Sequence, residues 1–273
     1  MKCSKKRRRL KVFATSSHYS AGISCRSVGA RRRVARMAPV QATTDAEASK
    51  PKPKAPQQML VYAPPHPLIK HWLAIMRADF TPPPMFRNAC AELGRLLLYE
   101  AGRDWLPTTQ QQVVTPLGHT AEAELCDPTR PIKVIPILRA GLVLLECSAQ
   151  VLPFQQTYHV GYVRDPDSLQ ARPYLNKLPA ALSPDDLFLV ADPMLATGGT
   201  VVQVIEDIVS RGGRPENIRV VAVVVAPPAL KKLADKFPGL KVFTAMIDEQ
   251  VDERGYIVPG LGDAGDRAYG TTH

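Results

Sequence analysis

The stretch LFLVADPMLATGGTVVQVIEDIVS, residues 187–210, decides the fold of this chain. It begins with an apolar run of strand length, reaches a single carboxylate at Asp192, crosses a short loop that holds Gly198 and Gly199, and continues at helical spacing. In such a unit, free backbone N–H groups and the positive end of the helix dipole converge where the glycines let a ligand approach. The order of parts therefore predicts an anion site at the end of a buried strand.

The helix of this unit is predicted over residues 201–210, with an apolar stripe that suits docking on a sheet. Thr200 followed by Gln203 fits a capping box at its start, and Thr197 is a second candidate for the cap. The glycine pair at 212–213 is expected to end the helix.

What the loop lacks narrows the choice of anion. No lysine follows the glycines, as a nucleotide P-loop requires, and the stretch contains no GxSxG of a hydrolase elbow. A carboxylate accepts hydrogen bonds from two neighbouring hydroxyls, and a sugar phosphate offers a diol about one short loop away from its phosphate. The arrangement points to a ribose 5-phosphate.

Strand and helix patterns alternate around this unit. Val- and Ile-rich strands are predicted over residues 132–138, 156–163, 187–191, 218–226 and 241–247. Helical patterns lie over residues 141–152 and 227–237, and two packing helices and a β-arm or hairpin precede the strands at 66–80, 84–105 and 108–131. Near-continuous apolar strands separated by helices indicate a mostly parallel sheet that is covered on both faces.

The net charge of +10 comes from the first 42 residues, which hold 12 Lys and Arg and no Asp or Glu. A basic, acid-free N-terminus without an apolar segment is typical of an organelle transit peptide, with a nucleic-acid-binding arm or a nuclear signal at 5–9 as the minor alternative. A Pro-, Lys- and Ala-rich linker follows at 45–58. We therefore predict a transit peptide and disordered linker over residues 1–58 and one domain over 59–273.

Composition argues against several classes of partner. After residue 42 the chain carries 23 basic and 25 acidic residues, so no nucleic-acid partner is expected. The five cysteines include no CxxC, which argues against a zinc site or a disulfide framework. The longest apolar run, at 220–230, is too short to cross a bilayer, so no membrane partner is expected either.

The stretch VADPMLATGGT, residues 190–200, resembles the phosphoribosyl diphosphate (PRPP) motif of type I phosphoribosyltransferases, in the form typical of the uracil enzymes. Asp192 matches the first acidic residue of the family motif and Pro193 replaces the second, as in the uracil branch. The resemblance implies an α/β fold with a mostly parallel central sheet flanked by helices, a small hood and a β-arm. It implies PRPP binding by Asp192, Pro193, Met194, Leu195, Ala196, Thr197, Gly198, Gly199 and Thr200.

Two further loops agree with this resemblance. In PILRAGLVLLE, residues 136–146, a small-residue turn places backbone amides beside the Arg139 guanidinium, which suits a diphosphate. This stretch is similar to the family's pyrophosphate loop. The stretch VGYVRDPDSLQARPYLNKLP, residues 160–179, is similar to the family's flexible loop, which implies that Arg164 also binds the diphosphate of PRPP.

The C-terminal stretch holds three glycines in the GxGxxG spacing of a dinucleotide fingerprint. The chain ends at residue 273, which leaves no room for the helix, second strand and ribose-binding acid that such a fold requires. GYIVPGLGDAGDRAYGT, residues 255–271, instead resembles the uracil-binding loop of the same family. The resemblance implies that the base or the adjoining ribose contacts Ile257, Gly262, Asp263 and Ala264, with Asp263 also binding PRPP.

The reaction that the resemblance implies is uracil plus PRPP giving UMP and diphosphate, in pyrimidine salvage. Asp192, Arg139 and Arg164 are the expected catalytic residues, Mg²⁺ arrives with PRPP, and a homo-oligomer is expected. The similarity to plant and algal forms favours a plastid, with the mitochondrion or cytosol as alternatives. A PRPP-binding regulatory homologue without transferase activity is the alternative function.

Overall fold

The computed structural model of the chain describes residues 58–164 and 171–272, without the side chains of residues 164 and 171. The strands are β1 (Leu60–Tyr62), β2 (Thr108–Val114), β3 (Thr120–Cys126), β4 (Ile132–Leu138), β5 (Gln155–Thr157), β6 (Val160–Arg164), β7 (Ala171–Asn176), β8 (Phe188–Ala191), β9 (Met194–Leu195), β10 (Ile218–Val225), β11 (Lys241–Ile247), β12 (Gln250–Val251) and β13 (Ile257–Val258). The helices are α1 (Pro67–Arg77), α2 (Pro83–Gly102), α3 (Ala140–Leu144), α4 (Gly199–Ser210), α5 (Pro227–Lys236) and α6 (Ala264–Tyr269).

A central sheet organises the described residues in the order β1-β11-β10-β8-β4-β6-β7. Neighbouring strands in this order run parallel, except that β6 and β7 run antiparallel. Every residue of β10 is buried, because this strand has neighbours on both edges and is covered on both faces. The predicted mostly parallel sheet is confirmed.

Apolar side chains form one core layer on each face of the sheet. Val221 and Val223 of β10 face the layer that contains α1, α2, α3 and α6. Val220 and Ala222 face the layer that contains α4 and α5. The strand alternates between the layers because successive side chains point to opposite faces. The packing helices and the apolar stripe of α4 therefore cover the sheet as the sequence predicts.

Two predicted elements have different bounds in the structure. The helix predicted over 141–152 ends at Leu144, because bonds from residue i to i+3, such as Leu145 N–H to Leu142 C=O, tighten the chain into successive turns. The strand predicted over 156–163 divides into β5 and β6. Its partner β4 contains Pro136, which has no N–H to donate, and the two pieces pair with β4 on either side of that proline.

The peripheral elements agree with the sequence more closely. The strands β2 and β3 form the predicted hairpin as a separate two-stranded sheet. Gly212 has a φ of 112°, and the N–H of Gly213 donates to Ile208 C=O, so the glycine pair ends α4 as predicted. The described part of the chain holds no helix that is long and apolar enough to span a bilayer.

The C-terminal glycine stretch contains a helix that the sequence did not predict. Asp263 caps α6 by accepting a hydrogen bond from the Asp266 N–H at 2.8 Å, which allows six residues of helix to form. The expectation of no helix in this stretch is therefore wrong. No strand follows α6 in the described residues up to 272, so the rejection of a dinucleotide fold stands.

Candidate active site

The loop after β8 is held against β10 by its backbone. The N–H of Asp192 donates to Val221 C=O at 3.1 Å, and the C=O of Pro193 accepts from the N–H groups of Val223 and Val224 at 2.9 and 3.0 Å. The loop then pairs with the end of β10 through β9. These bonds place Asp192 at the carboxyl end of the sheet, one loop away from the start of α4.

The start of α4 differs from the predicted capping. Gly198 is the N-cap, with a φ of 74°, and no side chain caps the helix. The capping box of Thr200 and Gln203 is wrong, and Thr197 is not a cap either, because the helix begins at Gly199 and Thr200 lies inside its first turn. Glycine is required at 198, since a Cβ there would lie 3.0 Å from the Ala229 Cα in a backbone conformation that side chains disfavour. No side chain therefore competes with an anion for the first N–H groups of α4.

A cavity of about 320 Å³ opens onto this helix start. Its lining comes from three parts of the chain: the loop after β8 with the start of α4 (Asp192 and residues 194–201), the turn at 254–256, and Asp263 of the C-terminal loop. Of the residues predicted to bind PRPP, this cavity brings together Asp192, Met194, Leu195, Ala196, Thr197, Gly198, Gly199, Thr200 and Asp263. Pro193 is buried against β10 and does not line it. The site thus joins the anion-binding loop to the C-terminal loop.

Asp192 has an unusual electrostatic environment. Burial raises the pKa of its carboxyl group from 3.8 to about 7; the donating N–H of Met194 lowers the pKa, and the charge of Asp263 raises it further. Two carboxylates that face one cavity repel each other in the absence of a ligand. Hydroxyl donors or a cation from a ligand therefore favour the ionised form of Asp192.

Arg139 lies at the start of α3, after a cis peptide bond with Leu138. Its guanidinium donates to the Asp266 carboxylate at 2.8 Å and to the Thr271 hydroxyl at 3.3 Å, and its side chain is 44% exposed. It does not line the cavity of Asp192. The loop after β4, which carries Arg139, and the loop after β8, which carries Asp192, follow neighbouring strands. They are close together: a Cβ on Gly141 would lie only 2.4 Å from the Ala191 carbonyl oxygen.

The other predicted residues have distinct positions. Arg164 ends β6, and its side chain lies outside the described residues, so its role stays a prediction. Ile257 is buried in β13, and Ala264 is buried as the first residue of α6. Gly262 lies between them with a φ of 75°, in an exposed turn. Asp263 is the residue of this loop that lines the cavity.

The turn between β12 and β13 contributes cavity residues that the sequence did not predict. The carboxylate of Asp252 accepts from the N–H groups of Arg254 and Tyr256 at 3.0 and 2.8 Å, which shapes a tight turn. Arg254, Gly255 and Tyr256 line the cavity as a result. The guanidinium of Arg254 has no hydrogen bond or ion pair with other described residues. The signal available in the sequence was a polar turn just before the C-terminal motif.

The donor set of the cavity bears on a magnesium ion. The described residues contain no cluster of three or more His, Cys, Asp or Glu side chains that could hold a metal. The cavity has the carboxylate pair Asp192 and Asp263. Mg²⁺ is commonly bound by one or two carboxylates together with substrate phosphates, so this pair fits an ion that arrives with a phosphorylated ligand.

Comparisons with known proteins agree with the geometry. The family model of uracil phosphoribosyltransferase matches residues 63–271. The chloroplastic uracil phosphoribosyltransferase of Arabidopsis thaliana is 47% identical over 258 residues, covering 94% of this chain and 87% of the relative. The uracil phosphoribosyltransferase of Nicotiana tabacum is 50% identical over 82% of this chain and 100% of its own length.

A structural comparison extends this result. The solved structure of a protein from Aquifex aeolicus superposes with a TM-score of 0.70 and 34% identity, covering 78% of this chain and 99% of that one. The chain belongs to the uracil phosphoribosyltransferase family and has the type I phosphoribosyltransferase fold.

Proposed function

We propose that this protein transfers the phosphoribosyl group of PRPP to uracil, giving UMP and diphosphate as a step of pyrimidine salvage. One observation carries the proposal: a single cavity joins the uncapped start of α4, the Asp192 carboxylate and Asp263 of the C-terminal loop. The helix start suits a 5-phosphate, the Asp192 carboxylate suits a ribose diol, and the C-terminal loop lies beside them for the base.

The experiment that tests the proposal is an assay of nucleotide formation with PRPP, Mg²⁺ and a panel of bases. The expected product with uracil is UMP, together with one equivalent of diphosphate. PRPP binding without turnover of any base would instead favour a regulatory homologue. No feature of the described site supports that alternative.

The residues of the site fit the charges that the reaction develops. As diphosphate leaves, C1 of the ribose becomes cationic, so the site must bind the leaving anion and stabilise an oxocarbenium ion. Asp192 is the partly buried carboxylate that lines the cavity beside the α4 start. In the proposed reaction it holds the ribose hydroxyls and faces the developing cation. Arg139 and Arg164 bind the diphosphate, Arg139 from the neighbouring loop.

Ile257, Gly262, Asp263 and Ala264 are the proposed contacts of the base and the adjoining ribose. Uracil and PRPP are the proposed partners, and Mg²⁺ is the proposed cofactor, carried in with PRPP beside Asp192 and Asp263. When bound, Mg²⁺ neutralises charge on the diphosphate and orients it as a leaving group.

The rate should depend on pH through Asp192. Its pKa of about 7 predicts that the carboxyl group is increasingly protonated below neutral pH in the free protein. A protonated carboxyl group holds the ribose diol and the cationic C1 less well, so kcat/KM for PRPP should fall as the pH drops below about 7. The profile is measured from pH 5.5 to 9, and Asp192→Asn is the control, because any pH dependence that this variant retains does not come from Asp192.

Arg254 is a further cation for the phosphate groups of PRPP. It lines the cavity beside the α4 start and has no partner among the described side chains. Arg254→Ala should raise the KM for PRPP about threefold to tenfold, since a charge-assisted bond at an exposed position is lost. Arg214→Ala, an exposed arginine that precedes β10 at the opposite end of the sheet, is the matched control. Equal KM values for the two variants would remove Arg254 from the site.

The N-terminal segment is a proposed plastid transit peptide. Its basic, acid-free composition supports this proposal, as does the similarity to the chloroplastic relative. Residues 1–58 fused to a fluorescent reporter should direct import into plastids, whereas a chain that begins near residue 46 should keep full activity. A mitochondrial, cytosolic or nuclear reporter would contradict the plastid assignment.

Self-association is proposed through the β2–β3 hairpin. Val114 and Leu117 at its tip are 75% and 84% exposed, which is costly for apolar side chains in a monomer. Light scattering should give a mass of at least two chains, and the double substitution Val114→Glu and Leu117→Glu should lower it.

A further inference from the structure

Charged side chains fix the backbone just before the proposed base-binding residues. The carboxylate of Asp248, which is 4% exposed, accepts from the Gly260 N–H at 2.9 Å and from the Arg77 guanidinium at 2.5 Å. The same guanidinium donates to the Gly260 C=O at 3.2 Å. Both backbone groups of Gly260 are therefore bonded to one ion pair, in which Asp248 is buried and Arg77 is partly exposed.

A third charge continues this arrangement by one residue. Arg267 of α6 donates to the Leu261 C=O at 2.7 Å. It also donates to the carbonyl oxygens of Met76 and Ala78 at the end of α1, and it lies over the Phe86 ring at 4.6 Å. Arg267 thus ties the C-terminal loop to the same helix end that carries Arg77.

These bonds set three successive peptide planes. A peptide unit is planar, so fixing its N–H or C=O fixes the orientation of the whole unit. Asp248 fixes the unit between residues 259 and 260, Arg77 the next one, and Arg267 the one between residues 261 and 262. The Gly262 N–H and C=O, which follow directly, make no hydrogen bond within the described chain. The planes are thus fixed up to the exposed backbone of Gly262.

We infer that Asp248, with Arg77, is a positioning residue that sets selectivity for the base. The inference rests on the proposed function, in which backbone groups of residues 257–264 contact uracil. Neither Asp248 nor Arg77 lines the cavity, so they act through Gly260. Apolar packing alone would hold the loop in place but would leave its N–H and C=O groups free to turn. Directed hydrogen bonds from the Asp248–Arg77 pair fix these directions.

The test compares steady-state constants for both substrates. Asp248→Asn places an amide NH₂ against either the Gly260 N–H or the Arg77 guanidinium, so one donor is left facing a donor. We expect the KM for uracil to rise about tenfold or more and the preference for uracil over cytosine to fall, because precise orientation is lost. The KM for PRPP should stay within about twofold, since Asp192 and the start of α4 are untouched and Asp263 is held separately by its bond to the Asp266 N–H.

Asp186→Asn is a control with the same bonding pattern. Asp186 accepts from the Lys133 ammonium at 2.7 Å and from the Ser183 N–H at 2.8 Å, at the opposite end of the sheet. Arg77→Lys is a second test variant, because an ammonium can pair with Asp248 but cannot also span to the Gly260 carbonyl with fork geometry. Arg77→Lys should give a smaller rise in the KM for uracil. It replaces Asp248→Asn in the test if that variant does not fold.

The outcomes separate this inference from the proposed function. A rise confined to the uracil KM, absent from Asp186→Asn, supports positioning. Equal changes in the KM for uracil and PRPP, or no change in either, would overturn it. Poor discrimination between uracil and cytosine by the unmodified protein would instead contradict the proposed mode of base recognition, whatever the variants do.

Discussion

Cytosine is expected to be used about 10⁴-fold less efficiently than uracil, because discrimination by fixed hydrogen-bonding groups reaches this size. Ile257, Gly262 and Ala264 have no side-chain groups that donate or accept hydrogen bonds, so these three residues contact the base with backbone groups. Uracil presents an N3–H donor next to an O4 acceptor, whereas neutral cytosine presents an N3 acceptor next to an amino donor. With cytosine, a donor would face a donor and an acceptor would face an acceptor. Each unsatisfied group costs about 1–3 kcal/mol.

The measurement is kcat/KM for each base at saturating PRPP. 5-Fluorouracil, which has the same hydrogen-bonding edge as uracil, is the positive control and should be used efficiently. Adenine and hypoxanthine should be turned over negligibly. Cytosine within about tenfold of uracil would show that the loop does not recognise the base in this way.

Asp192→Asn should lower kcat/KM by roughly one to two orders of magnitude, the equivalent of losing a charge-assisted bond worth about 1.5–3 kcal/mol. The amide has the shape of the carboxyl group but no negative charge to hold the ribose diol or face the cationic C1. Steady-state kinetics with PRPP and uracil measure the loss. Kinetics equal to those of the unmodified protein would refute the role of Asp192.

The thermal stability of the same variant is its folding control. The pKa of Asp192 is raised from 3.8 to about 7, so between these values the folded protein retains a proton that the unfolded chain has lost. The contribution of this group to the free energy of unfolding therefore falls as the pH rises through that range. The amide of Asp192→Asn carries no charge to bury, so the ligand-free variant should have a Tm above that of the unmodified protein at pH 8, with a smaller difference near pH 4.5.

The central sheet was predictable because its strands are buried on both faces. Such strands appear as continuous apolar runs, and β4 and β11 have the predicted bounds. The helix predicted after β4 was too long, since its apolar pattern also suits the successive turns that pack there. The β5–β6 break depends on which half of β4 each piece pairs with, which is a tertiary property.

The cavity was predictable only in part. Asp192 and the glycine loop lie within one short motif, so their proximity is a local property. Arg254 reaches the cavity through a turn that Asp252 shapes, and Arg77 meets Gly260 across 183 positions of sequence. The sequence pattern carries no signal for such contacts. The uncapped start of α4 was also missed, because a threonine followed three residues later by glutamine matches a capping box equally well.

A crystal structure with UMP bound tests most directly the central claim that one cavity holds phosphate, ribose and base. We predict that the phosphate oxygens lie about 3 Å from the first backbone N–H groups of α4, as anions at helix starts do. The ribose diol should donate to Asp192, and the base edge should pair with backbone groups between residues 257 and 264. A phosphate bound away from the α4 start, or a base held by side chains of another segment, would contradict the account.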